Sequence, residues 1–338
     1  MPWNKVVEFA DPLACQAALQ TTVQAEILPT TRGSFYAEAT QIGMSALRLQ
    51  RFKVALPQIG TFTIAPDRRS IGFLIEESSS NMQHCGLQVT PTDILIYGHD
   101  VVHQRSESDF RYGTMSLPTD DISFLCRTII GRDFLAERRT SIVRPNTDLM
   151  SRLRALHKIV GQLAHDTPDL LELPAVRRSL EERLVHAMVR CLAEGAGVRT
   201  TIGDGRHGAL VAKFEDFLAA HPNQPLYLTE ICAGIDVAER TLRVACEEHL
   251  GMGPIRFLTL RRMHLVRRAL LGADATRTSV TSIVTDHGFW ELGRFSVAYR
   301  VLFGETPSET LRRPAEQPRI PLNRPSSLST NSISGYRN

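Results

Sequence analysis

Two sets of side chains near the C-terminal end occupy matching helical positions and carry groups that can contact the bases of DNA. The first set lies on the outer face of a helix predicted over 238–250 and comprises Glu239, Arg240, Thr241, Arg243, Val244 and Glu247. The second lies on a helix predicted over 291–303 and comprises Glu291, Leu292, Gly293, Arg294, Ser296, Val297 and Arg300. Arginine can donate two hydrogen bonds to guanine in the major groove, so these faces indicate nucleic-acid recognition. A solvated charged face is the alternative interpretation.

The two helices belong to a pattern that occurs twice between residues 213 and 313. When Leu242 is aligned with Phe295, the downstream apolar, glycine and proline positions coincide. Two short helices around a tight turn, written twice, predict a repeated helix-turn-helix. This duplication favours DNA recognition over a merely solvated face. Asp236 lies in the first turn, where we expect a left-handed backbone conformation that Asp tolerates better than most residues.

A long helix predicted from Pro254 to Leu271 joins the two units. At about 1.5 Å per residue it spans somewhat under 30 Å, while successive major-groove faces recur at about 34 Å. We therefore expect it to hold both recognition helices over adjacent turns of one duplex. Its arginines are candidates for phosphate contacts, which position a protein without reading sequence. These candidates are Arg261, Arg262, Arg267 and Arg268.

The N-terminal part shows a different pattern. From about residue 21 to 144, short apolar or alternating runs are separated by Gly, Pro, Asp and Asn about every ten residues, which predicts an antiparallel barrel or sandwich. Such a barrel can hold a small ligand, although an interior packed only with side chains is an equal alternative. His84, His99 and His103 lack the spacing of a cupin metal site, so we expect no metal and interpret them as surface or hydrogen-bonded histidines.

Helical spacing of apolar residues follows. One stripe comprises Leu149, Leu153, Leu156, Val160 and Leu163, and a second comprises Val176, Leu180, Leu184, Ala187 and Cys191. We predict an antiparallel hairpin that forms a dimer interface. The alternative is that the hairpin only covers the open edge of the barrel. The Gly- and Thr-rich segment after it is predicted to be a linker, and the Pro- and Ser-rich tail is predicted to be disordered.

Composition restricts the class of protein further. The chain has 338 residues, a net charge of +3 and six scattered cysteines without a Cys-x-x-Cys pair, which fits free thiols in a reducing cytoplasm. No signal peptide and no apolar run of about 20 residues is recognisable, so we expect no membrane segment. The absence of a nucleophile elbow, a phosphate loop or a metal-ligand set argues against an enzyme, catalytic residues or a cofactor.

The C-terminal 100 residues or so resemble the AraC/XylS family of bacterial transcription regulators. The motifs that carry the resemblance are 238–251, Pro254, 261–263, 287–289, 293–295 and 303–308. Some positions depart from the family pattern. Cys232 and Val284 stand where alanine is usual, Asp236 where glycine is usual, and Val244 and Val297 where arginine is frequent, which suggests contacts with thymine methyl groups at those two sites.

The resemblance implies an α+β multidomain protein with an N-terminal cupin-like β-barrel, a helical hairpin and a C-terminal all-α double helix-turn-helix domain. The expected boundaries are a regulatory, effector-binding domain at 1–145, a dimerisation hairpin at 146–196, a linker at 197–212, the DNA-binding domain at 213–313 and the tail at 314–338.

The implied function is a sequence-specific cytoplasmic regulator, an activator in many members, that binds double-stranded DNA as a homodimer and responds to a small-molecule effector. RNA polymerase is a further expected partner. Two alternatives are a DNA-binding protein without an effector, whose barrel serves only oligomerisation, and a cupin-type enzyme. The sequence leaves open the effector, the operator and the choice between activation and repression.

Overall fold

The computed structural model describes residues 3–19, 23–64, 67–76, 81–98, 101–131, 140–195, 199–201, 206–221, 224 and 226–313. His99 and the tail predicted to be disordered lie outside these residues. The strands are β1 (Trp3–Phe9), β2 (Val23–Pro29), β3 (Ala37–Gly43), β4 (Arg48–Val54), β5 (Gln58–Ile64), β6 (Arg68–Leu74), β7 (Met82–His84), β8 (Leu87–Val89), β9 (Ile94–Ile96), β10 (Val101–Ser106), β11 (Phe110–Pro118), β12 (Ser141–Val143) and β13 (Arg199–Thr201).

The helices fall into an N-terminal and a C-terminal group. The N-terminal group is α1 (Pro12–Leu19), α2 (Thr119–Ile130), α3 (Thr147–Asp166), α4 (Pro168–Glu172) and α5 (Pro174–Gly195). The C-terminal group is α6 (Arg206–Ala220), α7 (Leu228–Gly234), α8 (Glu239–Leu250), α9 (Pro254–Gly272), α10 (Val280–Asp286), α11 (Leu292–Phe303) and α12 (Pro307–Leu311). Within the described residues, no helix is long and apolar enough to cross a bilayer.

The N-terminal strands form two antiparallel sheets. The larger has the order β1-β3-β4-β11-β6-β9-β12-β13, and the smaller has the order β2-β5-β10-β7-β8. The predicted α+β class, the N-terminal β domain and the C-terminal helix-turn-helix domain are confirmed. A closed cupin-like barrel is not confirmed, because among the described strands the outermost ones of each sheet have no partner across the gap. Alternating apolar residues predict strands, but they do not predict whether the outer strands meet.

The space between the two sheets is apolar and incompletely filled. Val7, Phe9, Ile27, Leu74 and Phe110 pack there, together with residues of α1. A cavity of about 110 Å³ remains in this layer. The interior is therefore not a fully packed core.

The helical hairpin covers the other face of the larger sheet. Leu153 of α3 and Leu184 of α5 are 0% exposed and share one core with Leu49 and Phe73 of the sheet. Glu181 fixes α5 to the β3–β4 turn, because its Oε1 accepts hydrogen bonds from the Ala46 and Leu47 amides at 2.7 and 2.8 Å. The apolar stripes predicted to form a dimer interface are therefore used within the chain. The assignment of these stripes to a dimer interface is therefore corrected. Sequence periodicity predicts an apolar stripe, but it does not reveal which surface the stripe covers.

The segment predicted to be a linker, 197–212, contains a short strand and the start of a helix. β13 pairs with β12 in an antiparallel register, with Ile142 opposite Thr200. α6 begins at Arg206, within the predicted linker of 197–212. Residues 196–198 and 202–205 lie outside the described residues. The extra strand extends the larger sheet beyond β12, which the Gly- and Thr-rich composition did not indicate.

Candidate nucleic-acid interface

The first helix-turn-helix consists of α7 and α8 around a tight turn. Asp236 has φ = 53°, which confirms the expected left-handed residue in this turn. The Val237 amide donates to the Cys232 carbonyl at 3.0 Å and so closes the turn. On the inner side, Ile231 and Leu242 are both 0% exposed. These buried contacts orient α8 so that its opposite face points away from the protein.

The outer face of α8 carries the side chains predicted to contact DNA. Glu239, Arg240, Arg243, Val244 and Glu247 are exposed and Thr241 is half-buried. Arg243 donates to Glu239 at 2.9 Å, so this guanidinium is already paired along the helix. Among the described residues, Arg240 makes no ion pair. Arg240 is therefore the guanidinium on this face that is free to approach a base.

The second helix-turn-helix repeats this geometry. Gly288 has φ = 79° at the turn, and the Phe289 amide donates to the Val284 carbonyl at 3.1 Å, as in the first turn. Phe295 and Tyr299 of α11 are buried. Gly304 ends the helix in a left-handed conformation, as Gly251 ends α8. The duplication seen in the sequence is therefore also a duplication of backbone geometry.

The outer face of α11 differs chemically from that of α8. Every predicted contact residue is exposed, namely Glu291, Leu292, Gly293, Arg294, Ser296, Val297 and Arg300. Arg294 donates to Glu291 at 2.8 Å. Two exposed apolar side chains were missing from the sequence-based set, Trp290 at 72% and Val301 at 61% exposure. Helical spacing from Val297 would have identified Val301.

The connector helix α9 uses most of its arginines within the protein. Arg262 lies over the Phe289 ring at 5.2 Å, and Arg261 lies 3.5 Å from Glu26 of β2. Arg267 is 7% exposed, so its position does not match the prediction that it faces a phosphate. Arg268 is exposed. Of the four phosphate candidates, Arg268 alone is exposed, because the other three face neighbouring elements.

Arg267 connects α9 to both ends of the structure. Its Nη1 lies 2.6 Å from Oδ2 of Asp11, and its Nε lies 3.5 Å from Oε1 of Glu305. Arg313 approaches Glu305 at 2.7 Å. Asp11 also accepts a hydrogen bond from the Leu13 amide through Oδ1, at the start of α1. A network of charged groups therefore joins α1, the connector and the second helix-turn-helix.

A second polar contact joins the smaller sheet to the first helix-turn-helix. Nδ1 of His103 lies 2.8 Å from Oε2 of Glu215 on α6, and Thr61 donates to the other oxygen of Glu215. Leu28 and Ile59 of the sheet lie in the same apolar core as α6 and α8. His84, interpreted as a surface or hydrogen-bonded histidine, is instead 0% exposed, and neither ring nitrogen has a hydrogen-bond partner among the described residues. Burial lowers its pKa to about 3, so it is neutral.

The described residues also bear on metal binding. No three of their His, Cys, Asp and Glu side chains are grouped so that they could hold a metal ion. The described cysteines are all free, and burial raises the pKa of Cys15, Cys191 and Cys246 to about 12. These thiols are therefore protonated and poorly nucleophilic at neutral pH.

Known proteins resemble this chain in the C-terminal segment that contains the two helix-turn-helix units. Residues 231–313 match a family model described as a helix-turn-helix domain. The chain is 33% identical over 157 residues to the "Probable thc operon regulatory protein" of Rhodococcus erythropolis, which covers 46% of this chain and 47% of that protein. It is 34% identical over 97 residues to "XylDLEGF operon transcriptional activator 3" of Pseudomonas putida, which covers 29% of each. The matched part of the chain therefore spans about half of the length of the first relative and less than a third of the length of the second.

A distant likeness to a solved structure extends over more of the chain. The AraC-like transcriptional activator CuxR aligns with 85% of this chain and 100% of its own, at a TM-score of 0.41 and 12% identity. A likeness at this level carries no information about ligands or partners.

Proposed function

We propose that this chain, which belongs to the AraC/XylS family of transcriptional regulators, binds double-stranded DNA in a sequence-specific way through α8 and α11. The observation that carries the proposal is the repeated unit with two exposed outer faces. α9, which separates the two units, has 19 residues. At about 1.5 Å per residue it is about 28 Å long, which suits two adjacent major-groove segments on one side of a duplex.

Replacing Arg240 tests the first recognition helix. We expect Arg240→Ala to weaken binding to a selected sequence by about 1–3 kcal/mol and to reduce discrimination against scrambled DNA, because a free guanidinium can pair with guanine. Full-length protein would first select sequences from a pool of random duplexes, and affinities would then be measured by fluorescence anisotropy. Arg268→Ala is the matched control, since loss of an exposed phosphate contact weakens binding to all sequences alike. Unchanged discrimination in Arg240→Ala would exclude this residue from base reading.

Effector control is a further part of the proposal, and the cavity between the sheets supports it. Tyr97 and Tyr112 meet there through a 2.6 Å hydrogen bond. Oε1 of Gln58, which also lines the cavity, is buried and has no hydrogen-bond partner within the described part of the chain. Among the described lining residues, Glu38 is the single ionisable carboxylate and none is Lys or Arg. These groups favour a neutral, largely apolar effector with a hydrogen-bond donor for Gln58.

α1 is the element that can transmit occupancy of this cavity. Cys15 and Leu19 of α1 line the cavity, while Asp11, at the start of the same helix, holds Arg267 of the connector. A ligand that displaces α1 would therefore change the contact between the N-terminal domain and α9. Such coupling requires that the ligand bind one arrangement of the two domains more tightly than the other.

Ligand-dependent stability tests the effector proposal. We expect benzamide or benzyl alcohol to raise the unfolding midpoint and benzoate of similar size to raise it less, because the cavity offers an acceptor and a carboxylate rather than a cation. A ligand at a hundred times its Kd stabilises the folded state by about 2.7 kcal/mol. Ala39→Leu, which adds bulk to the cavity wall, should remove the effect. A larger shift with benzoate, or an unchanged shift in Ala39→Leu, would contradict the assignment.

Homodimerisation and contact with RNA polymerase are the remaining parts of the proposal. The two apolar stripes that were predicted to form the dimer interface are buried within the chain. We therefore propose that dimerisation uses the solvent-exposed surface of α2, α3 and α4. Exposed apolar side chains there support it, namely Phe124 of α2, Ile159 of α3 and Leu173 beside α4. Action in the cytoplasm follows from the proposed role on chromosomal DNA.

A further inference from the structure

The outer face of α11 and the turn before it carry a stripe of mainly apolar residues. We define the α11 stripe as Trp290, Gly293, Val297 and Val301. Their spacing places them along one face of the helix and the turn before it. Trp290, Val297 and Val301 are 72%, 67% and 61% exposed. A Cβ at Gly293 would have nothing within 4 Å, so the stripe is open along its length.

A stripe of this kind differs from the scattered apolar residues of an ordinary surface. Single exposed hydrophobic residues are normal, whereas contiguous ones mark a contact with another molecule. Glu291 and Arg294, which lie beside Trp290 and Gly293 in the sequence, pair with each other at 2.8 Å. α11 therefore presents an exposed apolar stripe beside this ion pair.

The matching face of α8 shows that this property is not general to the repeated unit. In the alignment that places Leu242 on Phe295, Gly293 corresponds to Arg240 and Val301 corresponds to Glu248. Val297 corresponds to Val244, so that at this outer-face position both helices carry an apolar side chain. The first recognition helix can thus form hydrogen bonds with base edges at a position where the second helix has only a hydrogen atom.

We infer that the α11 stripe recognises thymine through the C5-methyl group, so that the two recognition helices read DNA by different chemistry. This inference rests on the proposed sequence-specific binding of DNA. The thymine methyl is the apolar group that bases present in the major groove, and small apolar side chains are its usual partners. Exposed Arg300, on the same helix, can meet the phosphates beside the groove. Val297 and Val301 contact the methyl groups, and open Gly293 allows the helix to approach the base pairs closely.

Replacing thymine by deoxyuridine removes only the methyl group and leaves base pairing intact, so it tests the inference directly. Full-length protein would select sequences from random 30-base-pair duplexes, and each thymine of the selected sequence would then be replaced singly. We expect a loss of affinity of about threefold to fivefold at one or two thymines in one half of the site, as for burial of one methyl group.

Variants assign the effect to the stripe. Val297→Ala should abolish sensitivity to deoxyuridine at one of these positions, whereas Leu87→Ala, a truncation of an exposed residue on β8, should leave it unchanged. Val297→Arg should shift the selected base at that position from thymine to guanine, because arginine pairs bidentately with guanine.

The outcomes separate this inference from the proposed function. If the protein enriches no sequence from the pool, the proposed function fails and the inference fails with it. If it enriches a sequence but binds thymine and deoxyuridine equally at every position, the inference alone is overturned, and the stripe is then a protein-contact surface. Loss of affinity in Val297→Ala without a change in deoxyuridine sensitivity would overturn it as well.

Discussion

Leu184→Ala is expected to lower the free energy of unfolding by about 3–4 kcal/mol, because removal of a fully buried leucine side chain loses its transfer free energy and leaves a cavity. Leu184 is 0% exposed and packs in the core between α3, α5 and the larger sheet. Urea denaturation followed by circular dichroism measures the change. The oligomeric state in sedimentation velocity should stay the same, since this side chain faces the chain's own sheet.

Ile159→Ala is the matched control for this prediction. Ile159 lies on α3 but is 46% exposed, so its truncation should change stability by less than about 0.5 kcal/mol. If the protein dimerises through the solvent-exposed surface of α2, α3 and α4, this variant or Phe124→Glu is the one that should shift the sedimentation profile. If Leu184→Ala shifts the protein towards monomer and leaves the urea midpoint unchanged, the stripes of α3 and α5 form a dimer interface after all.

The helix-turn-helix units were predictable because the signals that define them are local. Asp236 in a left-handed conformation and the glycines that end α8 and α11 each determine a turn within a few residues. The apolar spacing within α8 predicts which side is buried, and the buried residues agree with it. Local backbone preferences and a helical period are enough for these features.

The arrangement of the sheets was not predictable to the same degree. Strand segments follow from alternation, but β1 pairs with β3 and β6 pairs with β9, and such partners depend on packing across long stretches of chain. The short strand β13 pairs with β12 after three intervening helices, α3, α4 and α5. A pattern with a period of two predicts a strand and its faces, yet it contains no information on the partner.

The role of charged residues was the least predictable part of the site. Arg267 and Arg268 are neighbours of the same type on one helix, but the first is buried and the second is exposed. The difference comes from Asp11, which lies 256 residues away in the sequence. Similarly, His103 contacts Glu215, a residue of α6 in the C-terminal part of the chain. Exposure of a charged side chain depends on a tertiary partner that spacing does not reveal.

Because of these contacts, the N-terminal and C-terminal domains share a packed interface and are not joined by a flexible linker alone. It combines the apolar residues Leu28 and Ile59 with ion pairs and with the hydrogen bond between His264 and the Pro29 carbonyl at 3.1 Å. Burial lowers the pKa of His264 to about 4, so it contributes as a neutral group. Buried charges at such an interface are costly unless they stay paired. Arg267 is therefore the residue whose removal should affect the interface most.

Arg267→Ala is expected to destabilise the protein by about 3 kcal/mol, because it removes the arginine that pairs with Asp11 and leaves Glu305 with Arg313 alone, in a largely buried position. The side chains of Arg267, Asp11 and Glu305 are 9%, 17% and 10% exposed. Asp11→Asn should destabilise in the same direction, and the double variant should lose less than the sum of the two, as expected for residues in direct contact.

DNA binding distinguishes this structural role of Arg267 from the phosphate contact predicted from the sequence. A residue that neutralises a phosphate contributes about one unit to the slope of log Kd against log salt concentration. We expect Arg268→Ala to reduce this slope by about one with unchanged stability, and Arg267→Ala to leave it unchanged while the urea midpoint falls. If Arg267→Ala keeps the wild-type midpoint and loses one unit of slope, Arg267 faces DNA and the contact with Asp11 does not hold the domains together. The pair of adjacent arginines thus provides its own control, because the two variants differ in burial and partner but not in residue type or helix.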